Sequence, residues 1–211
     1  ARRVESLRPV QDALTRHGVN IESVALDVTD PASVNAAFDQ AAAALGPITV
    51  VINNAGVAIT KPLLDQTEED WQQVIEVNLN GAWRVAQAAA RHMVENKQGG
   101  SIVNIGSILG LRVSAQVPSY AASKGAVDSF TIGLGHEVAG EGIRVAAIRP
   151  GLIDTEIHAS GGEPDRAHRL APMVPMKRVG TAEEIANAIV WLISDEASYV
   201  TSAILDVSGG R

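Results

Sequence analysis

The residues with the clearest chemical meaning lie in VPSYAASKGAV, residues 117–127, where Tyr120 precedes Lys124 by four positions. On a helix, residues four apart share one face, with Cβ atoms about 5–6 Å apart. A phenol ordinarily ionises near pH ~10, too high for a base at neutral pH. A fixed ammonium beside it favours the phenolate and draws that value down. The spacing therefore predicts a tyrosine adapted to proton transfer. Ala121, Ala122 and Ser123 keep the face between them open. The alternative is a surface tyrosine next to a solvated lysine. Ser107, thirteen residues upstream of Tyr120, closes an apolar run and brings a hydroxyl toward the same place.

Those side chains need a scaffold, and the chain alternates short apolar runs with longer helical patterns. IESVALDV (21–28), ITVVINNAG (48–56), SIVNIGS (101–107), IRVAAIRPG (143–151) and AILDVSGG (203–210) read as buried strands ending in small or polar residues. Helical patterns fill 30–46, 67–97, 119–140 and 181–197. Asp30 with Pro31, and Thr67 followed by acids, supply helix starts. Strict β/α alternation with strands apolar throughout predicts a parallel sheet covered on both faces, in one α/β domain. Residues 152–180 break the rhythm with three prolines, a glycine pair and a short helix near 165–170. An insertion at a strand's carboxyl end reads as a ligand-covering lid, with Ile157, Leu170, Met173, Val174 and Met176 as its apolar contact surface. A disordered surface loop is the alternative.

The 211 residues carry 24 acidic against 17 basic side chains, a net charge of −7. No basic cluster suggests nucleic acid or an anionic membrane as a partner. Absence of cysteine excludes disulfides and thiolate metal sites and fits a reducing, cytoplasmic setting. The five histidines show no close pair at i,i+4 spacing, so no metal site is expected, and they read as surface or packing residues. No apolar run reaches the ~18 residues of a membrane-crossing helix.

NNAG (53–56), VNLNG (77–81), IVNIGS (102–107), YAASK (120–124), RPG (149–151) and DVSGG (206–210) occur in that order. Together they resemble the short-chain dehydrogenase/reductase family, of the 3-oxoacyl reductase and glucose dehydrogenase type, over essentially the whole chain. The resemblance implies a Rossmann-type doubly wound parallel sheet and an oxidoreductase interconverting a secondary alcohol and a ketone or 3-oxoacyl group. It implies that Tyr120 exchanges the proton while hydride moves to or from NAD(P), and that Ser107 bonds the substrate oxygen. Lys124 would lower the Tyr120 pKa and bind the nicotinamide ribose, and Asn78 would hold a helix kink and a proton relay. By the same resemblance Asn53 stabilises the central sheet, and Asn54, Ala55 and Gly56 approach the cofactor ribose. Asp27 and Val28 contact adenine, Pro150 and Gly151 lie near the nicotinamide, and Ile153 and Thr155 hold its carboxamide. A homotetramer or homodimer is implied, with helices 67–97 and 119–140 pairing across an interface. The pocket is expected along 108–118 and the lid, with Leu109, Leu111, Val113 and Met173 making it partly apolar.

The family opens with a strand, a TGxxxGxG turn and a helix, which these residues do not contain, so the chain is expected to be a portion of a longer protein. Arg2 and Arg3 then fall where an arginine accommodates the 2′-phosphate of NADP, which favours NADP over NAD. A non-catalytic dinucleotide sensor or scaffold on the same fold is the competing reading. It leaves the set Ser107, Tyr120 and Lys124 without an evident use.

Overall fold

The computed structural model of the protein describes residues 2–160 and 162–211. Ala1 and Gly161, the latter one of the glycine pair in the 152–180 insertion, lie outside them. Four parallel strands are hydrogen-bonded in the order β1 (Val50–Asn53), β2 (Gly100–Ile105), β3 (Ile143–Pro150) and β4 (Ala203–Val207). The helices are α1 (Arg8–Arg16), α2 (Pro31–Leu45), α3 (Glu68–Ile75), α4 (Ala82–Asn96), α5 (Pro118–Val138), α6 (Ile157–Ser160), α7 (Arg166–Leu170) and α8 (Ala182–Ile193).

Alternation along the strands sends successive side chains to opposite faces. Ile102 and Val145 pack with Ala86, Ala89 and Met93 of α4 and with Phe130 and Leu134 of α5. Val103, Ala146 and Ile148 face the other way, onto Ile185 and Leu192 of α8. The sheet is thus covered on both faces, as its continuous apolar strands require. Buried asparagines hold the layers together. Asn53 Nδ2 donates to the Ala82 carbonyl at 2.7 Å and to Asn104 Oδ1 at 3.1 Å. Asn104 Nδ2 in turn donates to Thr131 Oγ1 of α5 at 2.9 Å.

Two expectations change. Residues 21–28 form no strand. Their apolar pattern reports burial, which Leu26 and Val28 achieve against Val34 of α2 and Val85 of α4. A strand needs a ladder partner as well, and among the described residues the sheet ends at β1. The long helical pattern expected over 67–97 is two α-helices joined by a π-helical turn, Glu76–Gly81, around Asn78, where the resemblance implied a kink. Its start is capped as expected: Thr67 Oγ1 accepts from the Asp70 N–H while Asp70 Oδ2 accepts from the Thr67 N–H.

The insertion after β3 is folded onto the domain. Leu152, Ala167 and Val174 are buried together with Leu170 and Val179 beside them, and Ile153 bridges to Gly180. Of the expected contact residues, Met173 and Met176 are instead mostly exposed. No described helix is long and apolar enough to cross a membrane.

Gly81 closes the π turn where Val28 crosses it. A Cβ there would stand 2.6 Å from Val28 Cγ2 and 2.9 Å from its Cβ. Gly81→Ala is expected to cost about 1–3 kcal/mol in urea unfolding, because the clash lies in a packed core. Gly133→Ala, in α5 with open space around it, is expected to raise stability by up to about 1 kcal/mol.

Candidate active site

Ser107 follows β2 and caps a 3₁₀ turn, Ile108–Gly110, its Oγ accepting the Leu109 N–H at 3.2 Å. That bond uses a lone pair and leaves the hydroxyl hydrogen free to donate. α5 starts at Pro118, so Tyr120 lies in its first turn and Lys124 in its second. The helix runs hard against the 3₁₀ turn: a Cβ on Gly110 would be 2.8 Å from the Gly125 nitrogen. This approach presses Lys124 under the end of β2, where its Nζ donates to the Ile105 carbonyl at 2.6 Å. Lys124 is 5% exposed. Its Nζ is 5.8 Å from the centroid of the Tyr120 ring.

Ser107, Tyr120 and Lys124 line one cleft of about 660 Å³ at the carboxyl ends of the strands. Asn54, Gly56, Pro150, Gly151, Ile153 and Thr155 line it too. Open α/β sheets place ligands at such strand ends. Leu109 is on its wall, whereas Leu111, Val113 and Met173, expected to join it, are exposed elsewhere.

The electrostatics correct one expectation. Burial pushes the Tyr120 phenol above its ordinary value, and the Ser107 hydroxyl offsets this only in part. The ammonium, 5.8 Å from the ring centroid and bonded to Ile105, does not outweigh this loss of water. Burial instead depresses Lys124 itself to about 8, against the opposing pull of Asp128. Spacing reveals a shared face but not how much water the face has lost. In this state the phenol is a neutral acid.

Asn78 sits inside the π turn, buried behind the cleft. Its Oδ1 accepts the Val57 N–H at 2.8 Å, and its Nδ2 donates to the Val57 carbonyl at 2.9 Å and to Ser123 Oγ at 3.1 Å. It thereby fixes the loop carrying Gly56, where an added Cβ would meet Asn78 Oδ1 at 3.5 Å and Lys124 Nζ at 3.6 Å. Ala55 is exposed beside Gly56 and outside the cleft wall. Asp27, Val28 and Arg2 lie apart from the cleft wall as well. The Thr29 N–H and hydroxyl hold the Asp27 carboxyl below its usual range, with the Arg2 charge adding to them. The Val28 side chain is packed into the core, so only its backbone is available to a ligand.

Several residues of the cleft were not evident in the sequence. His158, Arg166 and Arg211 line it, His158 with Nε2 at 2.9 Å from the Ile153 carbonyl. His158 thus packs on Ile153 and forms part of the cleft wall. The insertion's irregular pattern gave no period from which to place it.

The family described as enoyl-(acyl carrier protein) reductase matches residues 2–211. The solved structure of a short-chain type dehydrogenase/reductase from Mycobacterium marinum superposes with a TM-score of 0.95 at 33% identity, covering 100% of this chain and 83% of that one. The chain belongs to the short-chain dehydrogenase/reductase family. Within that family, it is 40% identical over 212 residues to the uncharacterized oxidoreductase YgfF of Escherichia coli (strain K12), covering 99% of this chain and 86% of the relative. It is 38% identical over 193 residues to the 3-oxoacyl-[acyl-carrier-protein] reductase of the same organism, covering 92% and 78%. A gluconate 5-dehydrogenase from Burkholderia cenocepacia J2315, solved with NADP and tartrate, gives a TM-score of 0.91 at 32% identity, covering 100% and 82%. This short-chain dehydrogenase/reductase is therefore an oxidoreductase of CH–OH groups that uses NAD or NADP.

The protein has two tyrosines, and Tyr199 is fully exposed. In a Tyr199→Phe variant, phenolate absorbance reports Tyr120 alone. It is expected to ionise above the ordinary 10.0, later than free tyrosine. Phenolate appearing well below that value without dinucleotide would contradict the burial argument.

Proposed function

We propose that the cleft interconverts a secondary alcohol and a ketone or 3-oxoacyl group, with Tyr120 as the general acid and base. The observation that carries this reading is the convergence of the Ser107 hydroxyl and a half-buried, neutral Tyr120 phenol on one cleft, with the Lys124 ammonium beside the ring.

In the reducing direction Tyr120 gives its proton to the carbonyl oxygen. Ser107 turns its hydroxyl hydrogen to the same oxygen, stabilising the negative charge that develops there. A nicotinamide dinucleotide held in the cleft would supply the hydride for the carbonyl carbon. Lys124 then faces a phenolate one helical turn away, and its positive charge favours that form. With one Nζ hydrogen committed to Ile105, two remain for the nicotinamide ribose. In oxidation the proton returns by the same route.

The residues fit a dinucleotide. Gly56 leaves a side-chain-free surface flanked by Asn78 and Lys124, suited to the ribose, with Asn54 and Ala55 on the same loop. Pro150, Gly151, Ile153 and Thr155 would hold the nicotinamide end. Asp27, the Val28 backbone and Arg2 would take the adenine end. The Arg2 charge acts on Asp27 without an ion pair between them, which puts a guanidinium within electrostatic reach of that end and supports NADP as the preferred form, as does the NADP bound in the gluconate dehydrogenase relative. Residues 152–180 act as a lid over the substrate, supported by His158 and Arg166 on the cleft wall. Ile108, Leu109, Val117 and Ile157 favour a partly apolar substrate. Self-association through the outer faces of α4 and α5 is supported by exposed Trp83 and Ile132.

Assayed over a panel of ketones and 3-oxoacyl thioesters with NADPH, Tyr120→Phe is expected to lower kcat at least about a hundredfold while NADPH binding persists. Ser107→Ala is expected to cost about 10²–10³ in kcat. Retained turnover in Tyr120→Phe overturns the assignment, and binding without turnover in the unaltered protein favours the sensor.

A further inference from the structure

Tyr120, Lys124 and Asp128 recur at intervals of four along α5 and so share one helical face. Asp128 is 5% exposed, and its carboxylate is anchored from the sheet. Arg149 Nε of β3 donates to Asp128 Oδ2 at 2.8 Å, while Arg149 Nη1 reaches Asp206 Oδ1 of β4 at 3.4 Å. The other oxygen, Asp128 Oδ1, is buried and accepts no hydrogen bond among the described residues. It lies against Gly106, where an added Cβ would be 3.0 Å away. Gly106 directly follows Ile105, whose carbonyl receives the Lys124 ammonium.

A buried carboxylate oxygen left without a donor is destabilising unless its charge is used. Here one end of the carboxylate is neutralised by Arg149, and the free end faces the strand terminus that carries the buried ammonium. Few other charges compete for Lys124. From α5 it is faced by Tyr120 and Asp128, and from β3 and β4 by Arg149 and Asp206 beyond Asp128. β2 and the 108–110 turn carry no titratable group. Glu76 of the π turn is committed to Arg84 and Asn80.

Resting on the proposed role of Lys124, we propose that Asp128, held in place by Arg149 and Asp206, is a positioning residue that keeps the buried Lys124 an ammonium. Desolvation alone drives a buried lysine toward the neutral amine. A neutral amine neither stabilises a phenolate nor offers three donors. Asp128 opposes that drift, in keeping with its charge being what raises the Lys124 pKa against burial. Burial pushes the Asp128 carboxyl upward in its turn, and Arg149 opposes this by hydrogen bond and charge, which explains the link to β3.

The test reads Lys124 directly. In ¹⁵N-lysine-labelled protein, with the Nζ resonance assigned by Lys124→Arg, the midpoint is expected near about 8. Asp128→Asn is expected to lower it by about one unit. The double variant Asp128→Asn with Arg149→Gln removes the ion pair without stranding the guanidinium, and is expected to give the same downward shift. In alcohol oxidation, the loss of kcat at high pH should move down by an equal amount in both variants. A midpoint that stays in place in either folded variant overturns the proposal, even where melting temperature falls, and assigns the ion pair to stability alone. The resonance needs neither substrate nor dinucleotide, so it decides the matter even if no turnover is found.

Discussion

The site depends on a lysine ammonium that has been taken out of water. Removing such a charge from solvent is costly unless it is bonded and paired. Lys124 meets the first condition through the Ile105 carbonyl at 2.6 Å. That single bond ties the second turn of α5 to the carboxyl end of β2. It works only because α5 can approach closely, with Gly125 packed on Gly110 and no side chain between them. Once Lys124 is placed, Tyr120 must emerge one turn earlier, over the same strand end where Ser107 leaves the sheet. The three groups therefore form one rigid unit built from a helix, a strand end and a short turn.

The sheet supplies the second constraint. Parallel strands bring their carboxyl ends to one edge, and the register pairs Asn53 with Asn104 and Ile105 with Ile148. The side chains of Asn53 and Asn104 bond to each other and to Ala82 and Thr131, so β1, β2, α4 and α5 are fixed through fully buried amides. Buried polar groups that are satisfied in this way specify one arrangement rather than several. The cleft floor inherits that precision.

The sequence made the alternation of strands and helices legible because burial on both sheet faces leaves uninterrupted apolar runs. Helix starts at Asp30 and Thr67 were legible from residue type, and their side chains accept an N–H of the first turn, as does Thr181, which was not singled out. The segment 21–28 was misread because an apolar pattern records burial, whereas a strand also requires a partner for its backbone. The family resemblance implied a kink at Asn78, but its π form left no compositional trace, because Glu76, Val77 and Leu79 continue a helical pattern. Ser107, Tyr120 and Lys124 were legible by order and spacing. The direction of the Tyr120 shift was not, since desolvation depends on what covers the ring. Asp128, Arg149 and Asp206 were hidden for a different reason: their partners are 21 and 57 residues apart and meet only when α5, β3 and β4 are assembled.

The π turn between α3 and α4 separates two properties that look coupled. It turns Asn78 inward to grip Val57, yet its wider winding absorbs one residue and so leaves α4 in nearly the angular phase of an unbroken helix. An α-helix advances by about 100° per residue, and a π turn by less. Deleting one residue from 76–81 would therefore restore regular winding with Ala86, Ala89 and Met93 still on the sheet. What it would remove is the extra backbone that aims Asn78 at Val57, and with it both bonds that hold the loop beside the cleft. The additional residue thus serves the cleft and not the core.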